Sequence, residues 1–135
     1  MNCLYCQVLL EKKQRKYCSN QCQLDYQHAL YIARWLRGEE SGMQGGEKIS
    51  EHIRTYLVEK FGNKCSNPKC GWSEVNPTTG KVPIQIDHID GDYTNNSESN
   101  LRLLCPNCHS LTPTYGALNT GKGRSKRRYI RSMGL

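Results

Sequence analysis

The cysteines constrain this chain more than any other feature. All eight fall in close pairs: Cys3-x-x-Cys6, Cys18-x-x-x-Cys22, Cys65-x4-Cys70 and Cys105-x-x-Cys108. Two such pairs suit one tetrahedral zinc ion, because each tight turn supplies two thiolates and the metal closes the segment between them. Cys3, Cys6, Cys18 and Cys22 make one expected structural zinc site. Cys65, Cys70, Cys105 and Cys108 make a second, which ties together the two ends of the segment between them. Only 36% of the 135 residues are hydrophobic. A small domain with so thin a supply of apolar side chains needs staples of this kind. The start, MNCLYCQVLLEKKQRKYC, lacks the long apolar core of a signal peptide, and no stretch has the apolar length of a membrane span. The expected location is the cytoplasm, where paired thiols stay reduced and bind metal more often than they cross-link.

Four segments follow from composition and periodicity. Residues 1–37 read as a zinc module plus a helix. In that helix, from Gln21 to about Arg37, Leu24, His28, Tyr31 and Trp35 recur at helical spacing, and Ser19 or Asn20 caps the start. Residues 38–46 are rich in glycine and read as a linker. Residues 47–120 form the expected main domain. A helix is predicted over Lys48–Phe61, with Ile49, Ile53, Leu57 and Phe61 on one face and Gly62 as its stop. A strand is predicted over Lys81–Ile89, edged by Pro83, and pairs as a hairpin with a second strand over Leu101–Leu104. Pro106 suits the first turn of a short helix carrying Cys108 and His109. Residues 121–135 form a basic tail.

The stretch from Gln85 to His109 concentrates the chemistry. Strand, strand and helix bring Asp87, His88 and His109 together. Hydrolysis of a phosphodiester needs a water that loses a proton, charge compensation at phosphorus and a stabilised leaving oxygen. A histidine can exchange a proton near neutral pH, so His88 is the candidate general base. Asp87 offers a hard oxygen and His109 a nitrogen to a divalent ion, with positions left for water and phosphate oxygens. Asn100 suits a brace across the loop that presents His88. Three alternatives stay open: Cys108 and His109 share one ion, Asp90 and Asp92 approach the metal rather than serving as turn residues, or Asn119 supplies a third ligand.

Asp87-His88, Asn100 and His109, with the run Asn-Leu-Arg-Leu-Leu-Cys-Pro-Asn-Cys-His, resemble the motif of the HNH endonuclease family in its zinc-stabilised branch. The stretch from about Lys64 to Thr114 is similar to phage-encoded HNH nucleases, homing endonucleases among them. The resemblance implies a small α+β, zinc-stapled fold: a ββα-metal core preceded by an N-terminal four-cysteine zinc module and helix. It implies catalytic roles for four residues. Asp87 and His109 bind the catalytic Mg²⁺ or Mn²⁺, His88 activates water and Asn100 orients the His88 loop. It also implies two structural Zn²⁺, and cleavage to a 5′-phosphate and a 3′-hydroxyl.

The formal charge is +7; eight thiolates and two zinc ions bring it to about +3, so its distribution matters more than its sum. No Asp or Glu follows Glu98. Lys122, Arg124, Lys126, Arg127, Arg128 and Arg131 in the tail are the candidate phosphate contacts. The expected partner is double-stranded DNA, not a membrane, engaged by a monomer or a homodimer. If the gene is carried by a phage, the expected compartment is the bacterial host's cytoplasm. The competing reading is a non-catalytic, zinc-dependent nucleic-acid-binding protein, which has no need of Asp87, His88 and His109.

Overall fold

The computed structural model describes residues 1–45 and 48–118. The chain forms two compact units, Met1–Glu40 and Ser41–Leu135.

In the first unit a short ladder forms around the leading cysteines. Asn2 bridges Leu9 in antiparallel fashion. The Cys3 amide donates to the Val8 carbonyl at 2.8 Å and the Leu4 amide to Lys16 at 2.9 Å. The turn after Cys6 places Gln7 at φ 66°, the left-handed region that side chains rarely enter. Helix α1 spans Asn20–Leu36. Ser19 caps it, its Oγ accepting from the Cys22 amide at 3.1 Å, so the cap also fixes the backbone of a cysteine in the first turn. Burial on α1 is confined to Ile32 and Trp35, while Leu24, placed by spacing on the same face, is 59% exposed.

The second unit begins earlier than composition suggests. Met43–Gln44 is a short strand, β1, that pairs antiparallel with β2, Lys48–Ile49. Two of the expected roles change here. The glycine-rich stretch read as a linker over 38–46 contains β1. Ile49, read as part of a helix, lies in β2. The glycines give turns, not slack: Gly42 has φ 80°, and its carbonyl accepts from the Ser50 amide at 2.8 Å. Ser50 then caps α2, Glu51–Phe61, and Gly62 at φ 83° ends it.

Helix α2 buries Ile53 and Leu57 completely, whereas Phe61 at its end is exposed. It packs on β4, Leu101–Leu104, which pairs antiparallel with β3, Gln85–His88. The core is small: Ile53, Leu57, Ile84, Leu101, Leu103 and Leu104, with Cys65 and Cys105 at its edge. β3 is shorter than the span 81–89 predicted from alternation. Pro83 has no N–H to give a ladder, and the Ile84 amide turns back to Val82 O at 2.8 Å. The Ile84 carbonyl accepts instead from Arg54 Nη1 at 3.2 Å, so Arg54 is held by the fold and does not project free into solvent. Pro106 opens helix α3, Pro106–Ser110, which packs on both strands. The second unit thus contains a β-β-α arrangement, and the chain is a small α+β protein with two four-cysteine clusters.

Candidate active site and cysteine clusters

The cysteines converge as their spacing predicts. The sulfurs of Cys3, Cys6, Cys18 and Cys22 lie within 4.8 Å of one another, as do those of Cys65, Cys70, Cys105 and Cys108. Four thiolates around one zinc at about 2.3 Å stand about 3.8 Å apart. Cys6 and Cys18 are 3.4 Å apart, Cys18 and Cys22 3.5 Å, and Cys70 and Cys105 3.8 Å. Both donor sets fit a tetrahedral ion, and no cysteine among the described residues is in a disulfide. The second cluster is bolted to the sheet. The Ser66 amide and hydroxyl both donate to Leu103 O, at 2.8 and 2.6 Å, and the Cys65 amide donates to Trp72 O. The Cys108 amide, 3.4 Å from Cys105 Sγ, is the largest influence holding that thiol near pKa 7 despite burial. At Cys3 burial pushes the thiol up, but backbone N–H groups of Cys6, Cys18 and Tyr5 outweigh it and hold it at about 6. In each cluster one thiol is drawn down while another, Cys18 in the first and Cys108 in the second, is pushed up to about 12.

Beside the second cluster, β3, β4 and α3 converge on Asp87. Its carboxylate is buried, 5% exposed. Asp87 faces Arg102 across the antiparallel register, and Arg102 Nε donates to Oδ2 at 2.7 Å. The other oxygen, Oδ1, lies 3.5 Å from His109 Nε2. Helix α3 carries His109 over the strand, and there its Nδ1 meets Gln85 Oε1 at 2.6 Å. Gln85 and Asp87 share one face of β3, two residues apart, so one strand both orients the His109 ring and supplies the carboxylate opposite it. Tyr115 packs edge-on against the same ring, at 5.3 Å between centroids. Two donor atoms bound to one ion at about 2.1 Å stand roughly 3.0–3.5 Å apart. The Asp87–His109 pair fits that separation.

His88 follows Asp87 and turns to the other face of the strand. Its Nε2 lies 2.7 Å from Asn96 Oδ1. Asn96 is 3% exposed, and its Nδ2 donates to Ser41 O at 3.2 Å and to Met43 Sδ at 3.0 Å. Asn100 spans the loop as expected. Its Nδ2 donates to Asp90 Oδ1 at 3.0 Å and to Asn95 O at 2.8 Å, and its Oδ1 accepts from the Asp90 amide at 3.0 Å. Asp90 and Asp92 are turn acceptors: Asp90 takes the Asp92 amide and Asn95 Nδ2, and Asp92 takes the Thr94 amide and hydroxyl.

The structure thus brings Asp87 to His109 and sets Asn100 across the His88 loop. It assigns Cys108 to the sulfur cluster and His109 to Asp87, against a shared ion. Asn119 and the tail residues Lys122, Arg124, Lys126, Arg127, Arg128 and Arg131 lie outside the described residues. Sequence reasoning missed Arg102, Gln85 and Asn96. The first two were findable, since the hairpin register sets Arg102 opposite Asp87 and alternation sets Gln85 beside it. Nothing in local sequence marks Asn96, which is held by Ser41 and Met43, more than fifty positions away.

No protein-family profile matches the chain. Over 41 residues, 30% of its length, it is 51% identical to the protein described as H-N-H endonuclease F-TflIV of Escherichia phage T5. That match spans only 18% of the relative. Among solved structures, the type IV phosphorothioation-dependent restriction endonuclease ScoMcrA is similar over 84% of this chain and 26% of that one. The identity there is 25% and the TM-score 0.43, too low for a fold shared over the whole chain. Asp87-His88, Asn100 and His109 stand in order on a β-β-α unit next to a four-cysteine cluster, and half of a 41-residue segment is shared with a protein described as an H-N-H endonuclease, so over that segment the chain is similar to the HNH endonucleases.

Proposed function

We propose that the chain is a divalent-metal-dependent endonuclease that hydrolyses phosphodiester bonds of double-stranded DNA to a 5′-phosphate and a 3′-hydroxyl. The observation that carries this reading is the buried Asp87 carboxylate, 3.5 Å from His109 Nε2, beside a histidine on the next residue. Asp87 and His109 would hold Mg²⁺ or Mn²⁺, which supplies Lewis-acid stabilisation of charge on the phosphoryl group and the leaving oxygen. His88 removes the proton from the attacking water. Asn100 keeps the loop after His88 in shape by pairing with both the amide and the carboxylate of Asp90. The two cysteine clusters bind structural Zn²⁺. The first unit and the basic tail grip the duplex, and the chain acts as a monomer or homodimer in the cytoplasm, that of a bacterial host if phage-encoded. The relative from Escherichia phage T5 supports a phage-type role, which we read as homing-like. One motif per chain predicts one strand cut per encounter.

The test is a supercoiled plasmid with Mg²⁺, with and without chelator, against the parent and His88→Ala. Conversion to open circle that requires both the metal and His88 is the expected result. Conversion straight to linear points to a dimer or paired cuts. An intact gel shift with no conversion by the parent overturns the proposal in favour of a DNA-binding protein.

A further inference from the structure

The stretch 41–43 sits apart from the motif in sequence yet reaches the ring that the motif depends on. We infer that Asn96, held by the Ser41–Gly42–Met43 strap, is a positioning residue that fixes the His88 ring and reserves its Nδ1 for the attacking water. The inference rests on His88 being the base, as proposed above.

The direction of each hydrogen bond carries the argument. A carbonyl oxygen only accepts, so the atom of Asn96 that meets Ser41 O must be the amide nitrogen. The Met43 sulfur on the same nitrogen requires the same orientation. Oδ1 is then the atom turned to His88, 2.7 Å from Nε2. An amide oxygen accepts only, so His88 Nε2 carries the hydrogen. In the neutral ring Nδ1 is left with the lone pair, and a proton can be taken only there. The ring is also denied a flip about Cβ–Cγ, because that would set Cε1 where Nε2 stands and cost the bond to Asn96.

The strap is built for this contact. Gly42 is buried, and a Cβ added to it would lie 2.8 Å from Asn96 Cβ and 2.8 Å from Ile53 Cδ1. Its φ of 80° also disfavours any side chain. The strap is itself anchored, because Gly42 O accepts from the Ser50 amide at the cap of α2 and Met43 pairs with Ile49. A helix of the core, a two-residue strand and a loop asparagine thus form one chain of contacts ending on the His88 ring.

The experiment uses the full-length, zinc-loaded protein and four variants: Asn96→Ala, Met43→Leu, Gly42→Ala and the double Gly42→Ala/Asn96→Ala, with His88→Ala as reference. Single-turnover nicking is measured with protein in saturating excess over plasmid and with Mg²⁺, and plasmid affinity is measured without added divalent metal. Losing a residue that orients a reacting or ligating group typically costs about 10–100-fold in activity. Asn96→Ala should lose that much in rate with its plasmid affinity unchanged. Met43→Leu, which keeps the bulk and removes only the sulfur acceptor, should lose less. The double variant should lose less than the product of the two single losses, because Gly42 acts in part through Asn96; a fully multiplicative loss overturns the coupling. By nitrogen-15 NMR the parent should carry the His88 hydrogen on Nε2, with a proton resonance that disappears in Asn96→Ala. A folded Asn96→Ala that cuts at the parent rate, a hydrogen found on Nδ1, or a rate loss matched by weaker plasmid binding overturns the inference. If His88→Ala cuts like the parent, the base assignment falls instead.

Discussion

Arg102 offers the sharpest test of the site's electrostatics. Its Nε donates to Asp87 Oδ2 at 2.7 Å, and that carboxylate is only 5% exposed. Replacing it as Arg102→Met keeps the aliphatic stem and removes the charge, leaving a buried carboxylate facing His109 alone. A hydrogen bond to a charged group contributes about 1.5–3 kcal/mol. The Arg102 side chain is 36% exposed, so water already screens part of that, and a loss of about 1–2 kcal/mol is expected. In a domain of this size about 1 kcal/mol moves the melting temperature by roughly 4–8 °C, so the variant should melt roughly 4–16 °C lower. Added Mg²⁺ should reverse much of the loss. A cation held by Asp87 and His109 restores a positive partner, and it binds more readily once a competing guanidinium is gone. The assay is thermal melting of the zinc-loaded parent and variant across a Mg²⁺ titration. An unchanged melting temperature without Mg²⁺, or an equal Mg²⁺ response in both proteins, would refute the reasoning.

Further outcomes follow from other parts of the molecule. Stripping metal with a strong chelator, or replacing Cys105 with Ser, should collapse the dispersion of amide resonances in the second unit, because Cys105 is both a cluster member and the cap of α3; a spectrum that stays dispersed would mean the core stands without the metal. Asn100→Ala should remove the acceptor of the Asp90 amide in a part-buried loop, costing about 0.5–1.5 kcal/mol in urea denaturation and slowing nicking. Glu98 accepts from the Tyr56 hydroxyl and from Lys60, and these two hold its carboxyl below the ordinary 4.5. A depressed carboxyl stabilises the fold fully above its unfolded value and loses that contribution as pH falls through the folded one. Because the Glu98 side chain is 33% exposed, parent and Glu98→Gln should differ by only about 0.5–1 kcal/mol; the gap should be constant from about pH 7 to 5 and close below about pH 4.5, and a gap that widens in acid contradicts this. Deleting residues 121–135 should flatten the salt dependence of DNA binding by about 0.9 in log–log slope for each phosphate that is no longer neutralised, whereas an unchanged slope would remove the tail from the interface.

The parts of this molecule set by short-range chemistry were readable from the residues alone. Cysteine pairs at tight-turn spacing name their partners, because four thiolates near one ion need no long-range information beyond pairing. The hairpin of β3 and β4 and the start of α3 at Pro106 follow from alternation and from a proline that suits a first helical turn. That Asp87 meets His109 and that Asn100 spans the loop was legible for the same reason: all lie within one β-β-α unit whose geometry is local. The sequence misled where backbone hydrogen bonds compete. Glycines at 38–46 suggested slack, yet Gly42 is there for a close approach and a positive φ. Ile49 kept helical spacing but pairs in β2, and Pro83 with the turn at Ile84 cut β3 short. Tertiary structure alone decided who holds the site. Arg102 faces Asp87 through the hairpin register that alternation already implies, but Asn96 is held at His88 by residues 41–43. Such interactions join positions far apart in the chain, and no periodicity records them, because their geometry exists only after the core has packed.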